Sequence, residues 1–134
     1  MIELANAREL APYQDEPAQL PAAAPGKVGK LRLRFADRGG RTVLADCYRQ
    51  SPLLVQRALY WDEAMPEMAC VFVVTTSGGL LQGDRLSIEL AVEAGARAHV
   101  TTQSATKIQE MDANYAAQLQ QITLAEDAYL EYLP

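Results

Sequence analysis

From Lys27 onward, apolar and polar residues alternate with a period of two. Leu31, Leu33 and Phe35 stand between Lys30, Arg32 and Arg34, the pattern of a strand with one wet face. Asp37-Arg-Gly-Gly40 supplies turn chemistry before Arg41 to Tyr48 resumes as a second strand, so the two read as a hairpin. Leu53 to Tyr60, entered through Pro52, is the candidate third strand. Ala69 to Thr76 is continuous and β-branched, which predicts a strand buried on both faces. Leu86, Ile88, Leu90 and Val92 alternate again, Ala94-Gly-Ala96 turns, and Arg97 to Thr102 returns.

Only Ser104 to Gln118 could hold a helix, with Ile108, Met111 and Tyr115 at helical spacing. Asp112, Asn114 and a polar majority oppose it, so a short helix and an irregular loop both stay open. Residues 90–102 and 122–134 repeat one pattern, apolar-x-apolar, small turn, alternating strand, and an interval of that size is what stacked β-coils produce. Two generic hairpins of similar length would look alike. Either way the fold class is all-β, built of strand-turn-strand coils stacked as a β-helix or a sandwich, with at most one short helix.

The 134 residues fit one domain. Residues 1–26 run Ala, Pro, Gln and Glu, with prolines at 12, 17, 21 and 25, a composition expected to stay disordered. A net charge of −5 argues against a nucleic-acid partner, and no apolar run is long enough to cross a bilayer. With no secretory signal pattern, the expected compartment is the cytoplasm, where Cys47 and Cys70 would be buried free thiols.

The candidate chemistry lies in two polar turns, Gly78-Gly-Leu-Leu-Gln-Gly-Asp84 and Thr101-Thr-Gln-Ser-Ala-Thr-Lys107. Gly78, Gly79 and Gly83 make a tight turn that delivers the Asp84 charge to a fixed place. One reading projects Asp84 into a polar passage, where Thr101, Thr102, Gln103, Ser104 and Thr106 add neutral oxygens and nitrogen; a divalent cation would cross such a passage without being held. The plainer reading makes Asp84 a turn residue bonded to backbone N–H groups and the hydroxyls partners of their own backbone. Lys107 is expected to pair with Asp84 or Glu110. The one histidine, His99, and its counterpart in the repeat, Glu131, read as hydrogen-bonding surface residues rather than metal ligands. Two cysteines and one histidine do not make a storage site for a late divalent metal, which prefers thiolate and imidazole.

Other chemistries fit poorly. No Lys-Ser or Lys-Thr follows the glycines, and a strand stands where a phosphate site needs a helix N-terminus. A small hydrolase using Asp84, alone or with Glu89 or Glu93, is a minor alternative, with no placed partner for acid–base work. Leu54, Val55, Gln56, Arg57, Tyr60 and Trp61 offer apolar area beside polar groups and form the candidate contact surface, core burial being the other fate of the alternate residues.

Six segments carry a resemblance. Gly29-Lys-Leu-Arg-Leu-Arg-Phe35, Gly40-Arg-Thr-Val-Leu-Ala45, Pro52-Leu-Leu-Val-Gln-Arg-Ala-Leu-Tyr60, Gly78 to Asp84, Thr101 to Lys107 and Leu130-Glu-Tyr-Leu-Pro134 follow the order and spacing of the urease accessory protein family UreD, also called UreH. The chain resembles the amino-terminal half of that family over residues 27–134, and departs from it at Trp61-Asp62 and Thr75-Thr-Ser77, the latter lacking a frequent histidine. The resemblance implies a non-catalytic chaperone that docks on apo-urease, works with UreF and the GTPase UreG, and passes nickel in transit with no tightly bound cofactor. It also implies a domain incomplete at its C-terminal side, whose last strand has an open edge, so a homodimer is among the expected assemblies. A β-rich interaction module without a nickel role is the alternative.

Overall fold

The computed structural model describes residues 1–13, 26–112 and 114–134, and its regular structure is almost all strand, in eight segments. They are β1 (Val28–Asp37), β2 (Thr42–Gln50), β3 (Leu53–Val55), β4 (Ala69–Thr75), β5 (Arg85–Val92), β6 (Arg97–Thr102), β7 (Ala117–Leu124) and β8 (Tyr129–Leu133). Two four-stranded sheets face each other, one in the order β2-β1-β5-β7 and the other β3-β4-β6-β8. Within them β1, β5 and β7 are parallel, as are β4, β6 and β8, while β2 and β3 add antiparallel at the other end. The all-β coil reading therefore holds.

The repeat seen in the sequence is the coil register itself. Leu90 pairs with Ile122 and Ala98 with Leu130, so β5-turn-β6 lies directly over β7-turn-β8. The turns match as well: Gly95 and Asp127 both have positive φ, at 71° and 55°, and Gly95 N–H donates to the Glu126 carbonyl. Asp is among the few residues that tolerate this left-handed conformation, which is why a turn without glycine can stack on one that has it.

Alternation decides the core. Leu31, Leu33 and Phe35 of β1 and Leu86, Ile88, Leu90 and Val92 of β5 point between the sheets, where they meet Val71 and Val73 of β4 and Ala98 and Val100 of β6. Burying each large aliphatic side chain contributes about 1.5–3 kcal/mol. Lys30, Arg32 and Arg34 face outward as expected, and Arg32 pairs with Asp46 at 3.2 Å. The hairpin also forms as read, with Gly39 and Gly40 at positive φ and Asp37 Oδ1 accepting from Gly40 N–H at 2.8 Å.

Several expectations change. Strand β3 is only three residues long, and the chain after it returns to the sheet through an isolated bridge, Leu59 with Cys70. β4 is not buried on both faces: Phe72 is 40% exposed, because one side of this sheet packs against its partner while the other is only partly covered by residues 56–61. Among its described residues, 104–118 holds no helix. Ile108 is 69% exposed, so its helical spacing has no apolar surface to pack on, and the segment bridges Leu80 instead. Of the tail expected over 1–26, residues 4–13 form two short 3-10 turns that bury Leu4 and Leu10, and the Ile2 amide meets Glu89 on the outer face of β5. Two apolar anchors are enough to seat a short segment on an otherwise polar face. Residues 14–25, with Pro17, Pro21 and Pro25, lie outside the described residues.

Candidate functional site

The two polar turns do meet. Gly78, Gly79 and Leu80 line one side of a cavity of about 130 Å³, and Thr102, Gln103, Ser104, Thr106 and Lys107 line the other, with Val73 and Thr75 of β4 at its floor. Backbone bonds hold the walls together. Leu80 N–H donates to the Lys107 carbonyl at 2.8 Å, and Gln109 N–H returns to the Leu80 carbonyl at 3.0 Å. Gly79 has φ 121°, and a Cβ there would stand 2.7 Å from the Lys107 carbonyl oxygen, so glycine is required by both its conformation and this close approach. Thr101 turns the other way by strand alternation, and its hydroxyl donates to the Leu133 carbonyl at 2.7 Å.

Asp84 does not line the cavity. It is fully buried, and its two oxygens accept from Lys27 Nζ at 3.1 and 2.9 Å, from Lys27 N–H at 3.0 Å and from Leu81 N–H at 2.9 Å. The partner is Lys27, 1% exposed, rather than Lys107, whose side chain is on the surface. The carbonyl of Asp84 in turn accepts from Ala117 N–H at 2.9 Å, and Arg85 N–H donates to the Lys27 carbonyl at 2.8 Å. One residue thus joins the entrances of β1, β5 and β7 and sets the register of the three stacked coils. Gly83, φ 82°, makes the turn that aims the carboxylate inward. Lys27 was missed in the sequence reading because its partner is 57 residues away, and no local pattern carries that separation.

Arg85 steadies the approach to β7. Its guanidinium donates to the Asp84 carbonyl at 2.8 Å and to the Tyr115 carbonyl at 2.5 Å. Glu89 and Glu93 sit elsewhere, the first near the N-terminal amine and the second bonded to Arg34, and Asp84 shares no cleft with either.

A second depression of about 480 Å³ adjoins the first at Gln103, which lines both. Gln56, Arg57, Leu59, Phe72 and Val74 complete it. Trp61 stacks on Phe72 with ring centroids 5.2 Å apart and sets its edge against His99 at 5.6 Å. Of the candidate contact residues, Gln56, Arg57 and Trp61 are exposed, Leu54 is half-buried, Val55 is core, and Tyr60 sits under Arg41 with its hydroxyl donating to the Thr42 carbonyl at 2.7 Å. Phe72 is the surface residue the sequence concealed, inside a run that looked wholly buried.

His99 Nδ1 lies 2.7 Å from Glu131 Oε2, and since an ionised carboxylate only accepts, the ring proton belongs on Nδ1. The Tyr129 hydroxyl donates to the other oxygen at 2.6 Å. The Tyr129 bond first, then the His99 bond, hold the Glu131 carboxyl below its usual range, and the same bond pushes the Tyr129 phenol up. Burial pushes both free thiols, Cys47 and Cys70, above the usual range, which keeps them protonated and makes them poor metal donors. Among the described residues no three His, Cys, Asp or Glu converge on one point, and no helix is long and apolar enough to cross a membrane.

The family profile described as UreD urease accessory protein matches residues 27–134, beginning at the buried lysine. The chain belongs to the UreD family. It is 60% identical over 131 residues to urease accessory protein UreD 2 of Brucella ovis, covering 98% of this chain and 43% of the relative. It is also 60% identical over 129 residues to urease accessory protein UreD of Yersinia enterocolitica, covering 96% and 39%, and 61% identical over 128 residues to UreD 2 of Methylorubrum extorquens, covering 96% and 41%. The chain spans about two fifths of the length of these UreD relatives, as the resemblance to an amino-terminal part implied.

Proposed function

We propose that this chain serves urease maturation as a non-catalytic docking scaffold, engaging apo-urease together with UreF and UreG so that nickel reaches the urease active site in the cytoplasm. The observation that carries the reading is identity near 60% to three urease accessory proteins over almost the whole chain. The cavity between the glycine and threonine turns supports a transit role for its neutral oxygens. Thr75, Thr102, Ser104 and Thr106 offer hydroxyls to a hydrated cation, and oxygen donors without thiolate or imidazole release a late divalent metal readily. Asp84 contributes from behind this wall, by holding the glycine turn in place through Lys27 rather than by meeting the ion.

The test replaces the matching part of Yersinia enterocolitica UreD with residues 1–134 and co-expresses the hybrid with urease, UreF and UreG. Co-purification with apo-urease and UreF, with nickel loaded into urease, is expected. A soluble hybrid that captures neither partner would overturn the reading. The alternative, an interaction module without a nickel role, is favoured by the exposed Trp61–Phe72 face beside the larger depression. It predicts that Thr102→Val with Thr106→Val leaves nickel loading unchanged, whereas the transit reading predicts a loss of nickel at intact docking.

A further inference from the structure

We infer that the two depressions that adjoin at Gln103 together receive an extended acidic segment of a partner polypeptide. The inference rests on the docking reading above and is independent of nickel transit. The larger depression lies on the outer face of β4, which is hydrogen-bonded to β3 on one side and β6 on the other, so its opening owes nothing to a missing strand. Leu59 and Phe72 line it at 36% and 40% exposure, and Trp61, stacked on Phe72, adds 45%. Three large apolar side chains exposed side by side, with an arginine at their rim, have the make-up of an interface centre.

Charge complementarity names the occupant. The chain as a whole carries −5, yet among the described residues no Asp or Glu lines either depression, and each has one cation, Arg57 in the larger and Lys107 in the smaller. Neither cation has an ion-pair partner among the described residues, unlike Arg32, Arg34 and Arg97, each of which holds a carboxylate. A locally positive surface on an acidic chain favours a partner that brings carboxylates. The Arg57 guanidinium presents the two-pronged donor that a carboxylate fits. A bulky apolar side chain fits over Phe72 and Val74, in a space of about 480 Å³. Where the segment reaches Lys107, the Thr102 and Thr106 hydroxyls offer hydrogen bonds to its backbone.

Trp61 is the sole tryptophan, so its emission reports what settles on Phe72. The 134-residue chain is titrated with the acetylated and amidated peptide Gly-Glu-Leu-Glu-Gly, and with Gly-Lys-Leu-Lys-Gly and Gly-Glu-Ala-Glu-Gly as comparators. A saturable shift in emission is expected with the first peptide, and binding weaker by about tenfold with either comparator. Arg57→Gln should weaken the first peptide by about tenfold at an unchanged far-ultraviolet spectrum, and Lys107→Gln should act in the same sense. No saturable shift, equal binding of either comparator, or binding unaffected by both variants would overturn the inference. Capture of apo-urease and UreF by the hybrid described above is measured alongside. Capture without peptide binding sinks this inference alone, whereas peptide binding without capture sinks the docking reading and leaves the acidic-segment site standing.

Discussion

At the scale of single residues, the Lys27–Asp84 pair dominates. Both groups are taken out of water, and their mutual attraction offsets that cost only because every carboxylate oxygen also accepts backbone N–H bonds. Removing one partner leaves an uncompensated buried charge. Asp84→Ala is expected to destabilise the chain by about 3–5 kcal/mol in urea unfolding, whereas the double change Lys27→Met with Asp84→Leu should recover most of that loss. A double variant no more stable than the single would show that the backbone bonds to Asp84, rather than the charge pair, carry the effect. Asp84 was visible in the sequence as a carboxylate after glycines. Its partner was not, since a salt bridge between coils obeys the register of the sheet and leaves no spacing to read.

At the scale of elements, the glycine turn and the threonine turn act as one unit. Each was legible alone, from glycine and hydroxyl content between apolar strands, and their meeting followed from the parallel placement of β4 and β6, whose C-terminal ends lie side by side. Gly79 is the contact point. Gly79→Ala forces a left-handed φ on a residue with a Cβ and drives that Cβ into the Lys107 carbonyl, so the Leu80–Ile108 bridge should break. The expected outcome is a loss of about 1–3 kcal/mol, with amide signals perturbed in 78–80 and 102–109 and unchanged in β1 and β2. Perturbation spread evenly over both sheets would contradict a local bridge. Of the two readings open for 104–118, the irregular loop is the one that forms: periodicity makes a helix only where a neighbouring surface buries the stripe, and Ile108 finds none.

At the scale of the whole molecule, order is graded along the coil axis. β1, β5, β4 and β6 lie between neighbours in their sheets and share the core, while β7 and β8 come last in the two strand orders. Amide exchange should follow this order. Protection is expected to be highest in β1, β5, β4 and β6, each hydrogen-bonded to a strand on both sides, and lower in β7 and β8. Equal protection in all eight strands would contradict this grading.

Alternation of side chains by itself determined that the chain is all-β, which residues of β1 and β5 face inward, where the hairpin turns, and that two segments repeat. These are local properties, because a strand's period of two and a turn's need for glycine act over a few residues. Only the tertiary structure decided that the repeat is a parallel register, that Asp84 faces Lys27 across coils, that Phe72 lies under Trp61 at the surface, and that Ile122 is uncovered where Leu90 is buried. Those outcomes depend on what stacks above and below each strand, and neighbours distant in sequence leave no mark on the local pattern.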